Sequence, residues 1–530
     1  MGKCDRCKLR FAKAALAAFF VLACAVHAAQ PLTDAEQLGK RIYQKGVGNK
    51  PIIAKLSGSG IDAQGPDFPC INCHGEQGIG GREGGVQAAD ISPLNLGRPF
   101  SGTRPSGRTH AAYDDKLIAR AIGEGKDPAG NTLHTLMPRY TMDTQDLAGL
   151  LAYLKRLGNE PVPGLSDDEI RVGMLLPSRG ALKEVGTDVA KLLHAYFDRL
   201  NSRGGVFGRA VRFASVEFDP AITGGAHAAI AALREQDAPF CYLANLGIAE
   251  DGSASRLLAE QEVPVIAPLT SAGDLSHDQA RNTFYIYASL YDQARVALDY
   301  VADTPTFAQS KIALVYADDA PGRGGAQGVI AQAKSRAVTI VAEERFASDT
   351  IDRVSVMGRV KQRGASVIMF FGSSKSARAL IGEASRQKMK LDVFVSAELV
   401  GEGLRDLPAQ SLERVYFISA VPNPDQQSRE FLQFASLGNG SGIKPQHLAF
   451  QMNAYAGARL LEETLKQNGR NVTRGTFLRT LQEMYKLKIG VTPELSYNAN
   501  RRNGSIGSTI FKIDGKTKRV YVAADFCEPK

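Results

Sequence analysis

The spacing of apolar positions divides the chain into two parts with different patterns. Up to about residue 158 the apolar residues recur at helical spacing. Leu38, Ile42 and Tyr43 predict an amphipathic first helix, and the leucines between Leu147 and Leu157 predict a last helix over roughly residues 144–157. Asp143 or Thr144 could cap the start of that last helix. Residues 32–158 are therefore predicted to form one small helical domain.

From residue 168 onward, short β-rich runs alternate with helical stretches. The runs include "RVGMLLP", "AVRFASVEF", "KIALVYA" and "ASVIMFFG", and the first two are separated by a helical stretch at 185–201. This alternation is typical of parallel sheets covered by helices. Residues 168–530 are too many for a single doubly wound domain, so we expect two α/β lobes. The intervening residues 159–167, rich in Gly and Pro, are predicted to be a linker.

The first residues carry an export signal. A basic stretch precedes an apolar run at 14–26, and Val26-His27-Ala28 suits cleavage after Ala28. The run is short for a membrane-spanning helix, so a cleaved signal peptide over residues 1–28 is favoured over an uncleaved membrane anchor. The mature protein is then expected in the periplasm.

Composition and charge exclude little beyond nucleic-acid binding. The chain has 530 residues, of which 44% are hydrophobic, and this suits several ordinary globular domains. Five basic residues and one acidic residue in the signal account for +4 of the net charge of +9, so the remainder is only mildly basic. Basic residues do not cluster with aromatic ones, so we expect no nucleic-acid partner.

The sequence Cys70-Ile71-Asn72-Cys73-His74 carries the clearest chemistry. Two thiols at this spacing can form thioethers with both vinyl groups of one haem, while the adjacent His74 ligates the iron. A zinc site is the alternative, but no second cysteine pair completes a four-ligand set. We therefore predict one covalently attached haem c.

A sixth iron ligand is expected downstream of this motif. Met137, in Leu136-Met137-Pro138, lies in a Gly- and Pro-bearing loop between two helical stretches. A thioether ligand favours the reduced iron, as an electron carrier requires. His134 is the next candidate, Met142 and His110 also compete, and Met137 as simple core filler is the structural alternative.

Residues 32–158 resemble class I cytochromes c. The resemblance rests on the "GKRIY" helix, "CINCHGEQGIGG", "AIGEGKDPAGNTLHTLMPRY" and the "LAGLLAYLKRL" helix, in that order. It implies a small all-α fold around one haem, with His74 and Met137 as axial ligands, and single-electron transfer as the function.

Residues 168–530 resemble type I periplasmic binding proteins, in particular the leucine/isoleucine/valine-binding group. The resemblance rests on "RVGMLLPSRG", "NSRGGVFGRAVRF", "VPVIAPLTSAGDLS", "LVYADDAPGRG", "VFVSAELVGEG" and "FQMNAYAGARLLEETLKQNG". It implies two hinged lobes that close on a small ligand. By the same resemblance Thr270 and Ser271 would hold a ligand carboxylate, and Glu398 would pair with an ammonium group. The alternatives are that Thr270 only caps a helix and that Glu398 is solvated.

One departure from the binding-protein pattern leaves the ligand open. Pro321-Gly322 stands where relatives often place an aromatic before the glycine, so a wall of the pocket is lost or replaced. Tyr287, Tyr291 and Tyr316 are near enough in sequence to contribute, although a buried core position is the alternative for each. We expect an amino-acid-like ligand or a small carboxylate.

Two cysteines remain outside the signal and the haem motif. Cys241 and Cys527 could form a disulfide in an oxidising compartment, or Cys241 could be a buried free thiol in a strand.

No nucleophile elbow, phosphate-binding loop or metal-ligand spacing indicates an enzyme. We predict a periplasmic electron carrier with a small-molecule-binding domain, which serves or regulates a periplasmic oxidation system. Its redox partner would be a dehydrogenase or another cytochrome. Two alternatives remain: a receptor for an ABC transporter permease or signalling partner, with a haem that reports redox state, and lobes that act only as a docking scaffold.

Overall fold

The structure is a computed structural model, and the described residues form two compact units that divide between Pro161 and Val162. It describes residues 32–56, 62–80, 82–83, 86–100, 109–180, 182–247, 252–270, 281–347, 350–423, 425–440 and 447–530. The predicted signal peptide, 1–28, lies outside these ranges. Over the described ranges, no helix combines the length and apolar character needed to cross a membrane.

The first unit is mainly helical, as predicted. Its helices are α1 Asp34–Lys45, α2 Cys70–His74, α3 Pro93–Leu96, α4 Asp115–Glu124 and α5 Thr144–Leu154. The first and last helices of this set pack against each other around a core that includes Ile42, Tyr43, Leu150 and Tyr153. This core supports the segments that carry the haem motif.

Capping residues set the ends of α1 and α5. The Thr33 hydroxyl accepts the Glu36 N–H while the Glu36 carboxylate accepts the Thr33 N–H, which satisfies two otherwise orphaned donors at the start of α1. Asp143 caps α5, as one of the two predictions had it. The helix ends at Leu154 rather than near residue 157, because the Arg156 N–H bonds the Tyr153 carbonyl and tightens the chain into a turn.

A small antiparallel sheet, which the sequence analysis did not predict, is added to these helices. It has the order β2-β1-β5, and a two-residue hairpin, β3–β4, accompanies it. The strands are β1 Ile53–Lys55, β2 Asp62–Gln64, β3 Arg82–Glu83, β4 Val86–Gln87 and β5 Arg139–Thr141. Strands of two or three residues are too short to show an alternating pattern. The pairing of β1 with β5 joins the segment before the haem motif to the segment after Met137.

The second unit contains two sheets, in agreement with the predicted two-lobed α/β architecture. The first sheet is parallel throughout, with the order β10-β9-β8-β6-β7. Its strands are β6 Glu169–Pro177, β7 Ala210–Phe218, β8 Cys241–Leu243, β9 Val265–Ile266 and β10 Thr283–Phe284. Helices α6 Leu182–Asn201, α7 Gly225–Asp237 and α8 Gly252–Glu260 connect the successive strands. We call this sheet and its helices the first lobe.

The second lobe is built on a mixed sheet with the order β12-β11-β13-β14-β15-β16-β17. Its strands are β11 Ile312–Ala317, β12 Ile340–Phe346, β13 Val367–Phe371, β14 Asp392–Ser396, β15 Val415–Ser419, β16 Ser508–Ile513 and β17 Val520–Cys527. Strand β16 pairs antiparallel with β15, and β17 pairs antiparallel with β16. Its helices are α9 Leu290–Asp303, α10 Ala320–Ser335, α11 Arg353–Gln362, α12 Ser374–Arg386, α13 Ala397–Val400 and α14 Ala409–Leu412.

Three late helices return to the core of the first lobe. They are α15 Arg429–Gly440, α16 Leu448–Asn468 and α17 Arg474–Glu483. Helix α16 comes so close to the sheet that a Cβ at Gly457 would lie 2.4 Å from that of Ala267. In the described part of the chain, the backbone therefore passes between the lobes at three places: near 287–289, after 420 and near 503–507.

Cys241 and Cys527 do not form a disulfide with each other. Cys241 is fully buried in β8 of the first lobe, whereas Cys527 is exposed at the end of β17 in the second. Cys241 is thus a buried free thiol, which was one of the two alternatives.

Candidate functional site

Helix α2 brings both thiols and the imidazole of the haem motif together. The helix begins after Pro69. Backbone N–H groups at a helix start have no partner within the helix, so a proline, which has no N–H, fits there. The helix ends before Gly75, which has a φ of 72°. Cys70 and Cys73 are one turn apart and so lie on the same side of the helix. A Cβ at Gly75 would meet nothing within 4 Å, so there is open space beside the motif.

The His74 ring is held in one tautomer by the backbone. Its Nδ1 lies 2.9 Å from the Ala89 carbonyl oxygen. Because a carbonyl can only accept, Nδ1 carries the proton, and the lone pair of Nε2 is left for a metal. Burial lowers the pKa of His74, with the Ala89 carbonyl acting in the opposite direction. The net lowering of the His74 pKa is compatible with a neutral, iron-binding imidazole.

The loop that carries Met137 is joined to the haem motif by Tyr140. The Tyr140 hydroxyl donates to the Phe68 carbonyl over 2.7 Å. Tyr140 lies three residues after Met137, and Phe68 lies two residues before Cys70. The Met137 side chain is half-buried, and its N–H bonds the His134 carbonyl in a turn. The fold thus brings the sequence around Met137 to the haem motif.

The three competing iron ligands have other surroundings. Met142 packs against the core of the first unit. The His110 ring lies between Phe100 and Tyr113, at centroid distances of 5.3 and 5.2 Å. His134 is exposed, and its Nδ1 accepts the Leu136 N–H.

The donor set of the first unit fits a covalently attached haem. The thiols of Cys70 and Cys73 are not in a disulfide, and burial raises the pKa of the Cys70 thiol to about 12. Thioether formation removes the need for a thiolate at that position. Within the described ranges, no group of three or more His, Cys, Asp and Glu side chains could hold a metal ion, so the zinc alternative finds no ligand set there.

A carboxylate stands at the carboxyl edge of the second lobe's sheet. Glu398 follows β14, and its oxygens accept the Ser396 hydroxyl at 2.9 Å, the Ala420 N–H at 2.9 Å and the Ser419 hydroxyl at 3.3 Å. Glu398 is exposed to solvent, so a ligand can reach it. The surrounding protein raises the pKa of Glu398, and these three donors counteract part of that rise.

No basic side chain of the described residues forms an ion pair with Glu398. The Glu398 charge acts on Tyr287. The pKa of Tyr287 is raised mainly by burial and, to a smaller extent, by this charge. The Tyr287 hydroxyl is buried and has no hydrogen-bond partner among the described residues. A buried hydroxyl without a partner costs about 1–3 kcal/mol, so a bound polar group would be stabilised here.

Tyr291 and Tyr316 are placed differently from Tyr287. Tyr291 is exposed on α9, and the guanidinium carbon of Arg295 lies 5.7 Å from its ring centroid. The Tyr316 hydroxyl donates to Glu343 on the neighbouring strand over 2.9 Å. The contacts of Tyr291 and Tyr316 are thus with Arg295 and Glu343 rather than with Glu398.

Ser396, Ser419 and Ala420 were not singled out by the sequence analysis. The strand pattern could have pointed to Ser419. Strands β14 and β15 are parallel neighbours, so their carboxyl ends, and with them Ser419, meet at one edge of the sheet.

The remaining predicted ligand residues are only partly described. Thr270 is half-buried after β9, and Ser271 lies outside the described residues. Pro321-Gly322 forms the first turn of α10, where the Asp319 carboxylate accepts the Gly322 N–H over 2.8 Å. A Cβ at Gly322 would lie 2.1 Å from the Ala317 carbonyl oxygen, so this glycine is required by the close packing of the helix start.

Two protein-family models match the chain. The model described as Periplasmic binding protein matches residues 169–518, and the model described as Cytochrome c matches residues 67–158.

Curated relatives match the second unit. Leu/Ile/Val-binding protein homolog 3 of Brucella melitensis is 23% identical over 356 residues, which are 65% of this chain and 92% of that protein. Leu/Ile/Val-binding protein homolog 8 of Brucella abortus is 22% identical over 322 residues, which are 56% of this chain and 76% of that protein.

Solved structures have the same fold. A branched-chain amino acid ABC transporter protein from Thermus thermophilus with bound valine has a TM-score of 0.54 at 16% identity, covering 68% of this chain and 97% of its own. The substrate-binding protein of a branched-chain amino acid transporter from Streptococcus pneumoniae, in complex with isoleucine, has a TM-score of 0.53 at 19% identity, covering 68% and 100%. A fatty acid ABC transporter substrate-binding protein from Thermomonospora curvata has a TM-score of 0.55 at 16% identity, covering 70% and 95%.

Proposed function

Because the chain belongs to the periplasmic binding protein family and carries a cytochrome c domain ahead of that part, we propose that it is a periplasmic electron carrier with one haem c and a binding site for an ammonium-bearing, amino-acid-like ligand. In this proposal neither domain is an enzyme. The cytochrome domain carries single electrons, and the two lobes bind the ligand.

The Glu398 carboxylate is the observation that carries the ligand class. It is exposed to solvent, it is held in place by three hydrogen bonds, and it has no basic partner among the described residues. A charge in such a place is stabilised by an opposite charge, and a ligand ammonium supplies one. The Tyr287 hydroxyl, which has no hydrogen-bond partner among the described residues, can bond a polar group of the same ligand.

The names of two solved relatives support the same ligand class. Two of the similar structures contain valine or isoleucine, each of which carries an ammonium and a carboxylate. A third similar structure is named for fatty acid transport. In our proposal Thr270 and Ser271 face the ligand's carboxylate, as the family resemblance implies.

Four residues would hold the haem. Cys70 and Cys73 would attach it covalently, and His74 and Met137 would ligate its iron. The haem supplies reversible one-electron chemistry when bound. The protein orients the His74 ring through the Ala89 carbonyl and keeps the Met137 loop near the motif through Tyr140.

We propose that this pair of domains serves or regulates a periplasmic oxidation system. Its redox partner would be a dehydrogenase or another cytochrome. A second candidate is a receptor for an ABC transporter permease, favoured by relatives that are named as components of such transporters. A docking scaffold without a ligand is the third.

A thermal-shift screen on the haem-loaded mature protein tests the binding function. It covers amino acids, amines, small carboxylates and alcohols. A ligand that binds only the folded state stabilises the second unit by an amount that grows with its concentration, about 2.7 kcal/mol at one hundred times its Kd. We expect an amine or amino acid to give such a shift.

Glu398→Gln provides the specific test. It removes the charge with little change of shape, and we expect it to weaken an ammonium-bearing ligand by about tenfold to a hundredfold. Glu402→Gln is the matched control, since Glu402 follows closely in sequence and is also exposed, but it pairs with Arg405 at 2.9 Å. A screen without hits would favour the scaffold, and hits that Glu398→Gln leaves unchanged would move the site elsewhere.

A further inference from the structure

Arg139 closes the loop that carries Met137. Its guanidinium donates through Nη1 to the Met137 carbonyl and through Nη2 to the Leu133 carbonyl, the latter over 3.2 Å. These two carbonyls stand at the two ends of a five-residue stretch without helix or strand. One planar side chain therefore fixes both ends of the stretch that presents the Met137 thioether.

The position of Arg139 is itself fixed on two sides. Its backbone lies in β5, paired with Lys55 of β1. Its side chain lies against Gly125, where any Cβ would come 1.8 Å from Nε, and Gly125 has a φ of 68° that favours glycine. The Gly125 carbonyl also accepts the Leu133 N–H over 2.8 Å. The helix end, the strand and the loop thus meet at this guanidinium.

The positive charge of Arg139 is not neutralised by a neighbouring acid. No carboxylate among the described residues lies within ion-pair distance of it, and both of its named partners are neutral carbonyls. Arg474 in the second unit also donates to backbone carbonyls and forms no ion pair with an acid among the described residues. Its partners are the carbonyls of Pro239 and Phe240, just before β8, and of Gln261, just after α8. Contacts of this kind indicate a purely structural role.

We propose that Arg139 is a positioning residue for the axial ligand Met137, and that its uncompensated charge favours the reduced haem. This inference rests on the proposed assignment of Met137 to the iron. The fixed loop holds the thioether in place against competing ligands, and a nearby positive charge disfavours the more positive ferric state. Arginine suits the position because only its planar fork reaches two carbonyls at once.

The test compares haem-loaded full-length variants Arg139→Gln, Arg139→Lys and Met137→Ala. The measurements are the weak red absorption band of a methionine sulfur bound to ferric haem, the affinity of the ferric protein for imidazole, and the midpoint potential. We expect Arg139→Gln to bind imidazole about tenfold more tightly, equivalent to about 1.4 kcal/mol, and to have a lower potential. Arg139→Lys should keep the potential but not the full resistance to imidazole.

Lys126→Gln is the control for a loss of charge on the same loop. Lys126 is half-buried, but its ammonium bonds the Thr132 hydroxyl at 2.7 Å in a contact that is open to solvent, so water and salt screen its charge. An Arg139→Gln protein that matches Lys126→Gln in both imidazole affinity and potential would overturn the proposal. If Arg139→Gln does not fold, unchanged imidazole affinity in Arg139→Lys would do the same. A red band that persists in Met137→Ala would remove the Met137 assignment itself, and the role of Arg139 with it.

Discussion

At the scale of single residues, the two candidate sites each place a charge without a counter-charge. Glu398 accepts three hydrogen bonds but has no basic partner among the described residues, and Arg139 donates to two carbonyls but has no acidic one. Hydrogen bonds satisfy the atoms of such groups, while the net charge remains available to a ligand. The negative charge of Glu398 suits a ligand ammonium in the second unit, and the positive charge of Arg139 suits a reduced iron in the first.

The raised pKa of Glu398 predicts a pH dependence of ligand binding. A proton and an ammonium compete for the same oxygens, so an amine or amino acid found in the screen should bind more weakly as the pH falls through the Glu398 pKa. That pKa lies above the ordinary value of 4.5. Below it, we expect up to about tenfold loss of affinity for each unit of pH. Isothermal titration at several pH values measures the slope, and Glu398→Gln should abolish it. An equal slope in both proteins would contradict the assignment.

The sequence predicts the haem residues better than it predicts their supports. Cys70, Cys73 and His74 are adjacent in sequence, and their chemistry specifies a cofactor without any knowledge of the fold. Arg139 acts through contacts that depend on strand pairing and loop closure. Such contacts carry no local pattern, so they emerge only from the structure.

At the scale of elements, the contact between α1 and α5 depends on Gly39. A Cβ at Gly39 would lie 2.0 Å from the Gly149 carbonyl oxygen, which is backbone and cannot turn aside. The two helices can therefore meet at this distance only because position 39 lacks a side chain, whereas a Cβ at Gly149 would come no closer than 3.1 Å to the Ala35 carbonyl oxygen.

Gly39→Ala should consequently destabilise the cytochrome domain. We expect a loss of about 1–3 kcal/mol in the free energy of unfolding, because the helices must separate to admit the methyl group. Thermal unfolding followed by haem absorption measures it. Gly123→Ala in α4 is the control, since the nearest atom to its added Cβ is 3.9 Å away. That change should be neutral or stabilise by up to about 1 kcal/mol, because alanine is the better helix former. Equal melting temperatures for the two variants would refute the expectation.

The elements that the sequence predicted are those with a buried, repeated pattern. The run "AVRFASVEF" is β7 at the predicted bounds, and β11 and β13 fall within runs that are apolar on both faces. In contrast, β1, β2 and β5 have three residues each. The late strand β17 is partly exposed at a sheet edge, with Val520, Tyr521 and Val522 open to solvent, so burial gives it no clear pattern.

At the scale of the whole molecule, the candidate ligand site is tied to the passages between the lobes. Tyr287 lies in the first passage, and Ala420, which donates to Glu398, begins the second. The third is tied to the first through the Ser505 N–H, which bonds the Ile286 carbonyl over 3.0 Å. A ligand bound at Glu398 would therefore act on the backbone about which the lobes can turn.

Binding at this site is predicted to leave the haem potential unchanged. The two units have separate cores, and residues 159–167 between them are rich in Gly and Pro, which suits independent domains. Spectroelectrochemical titration with and without a saturating ligand should give equal midpoint potentials, while calorimetry should show the ligand shifting only the transition of the second unit. A potential that moves with ligand would instead demonstrate coupling. By reciprocity the ligand would then bind the ferrous and ferric proteins with affinities that differ by the same free energy, so a second titration of each redox state would have to agree.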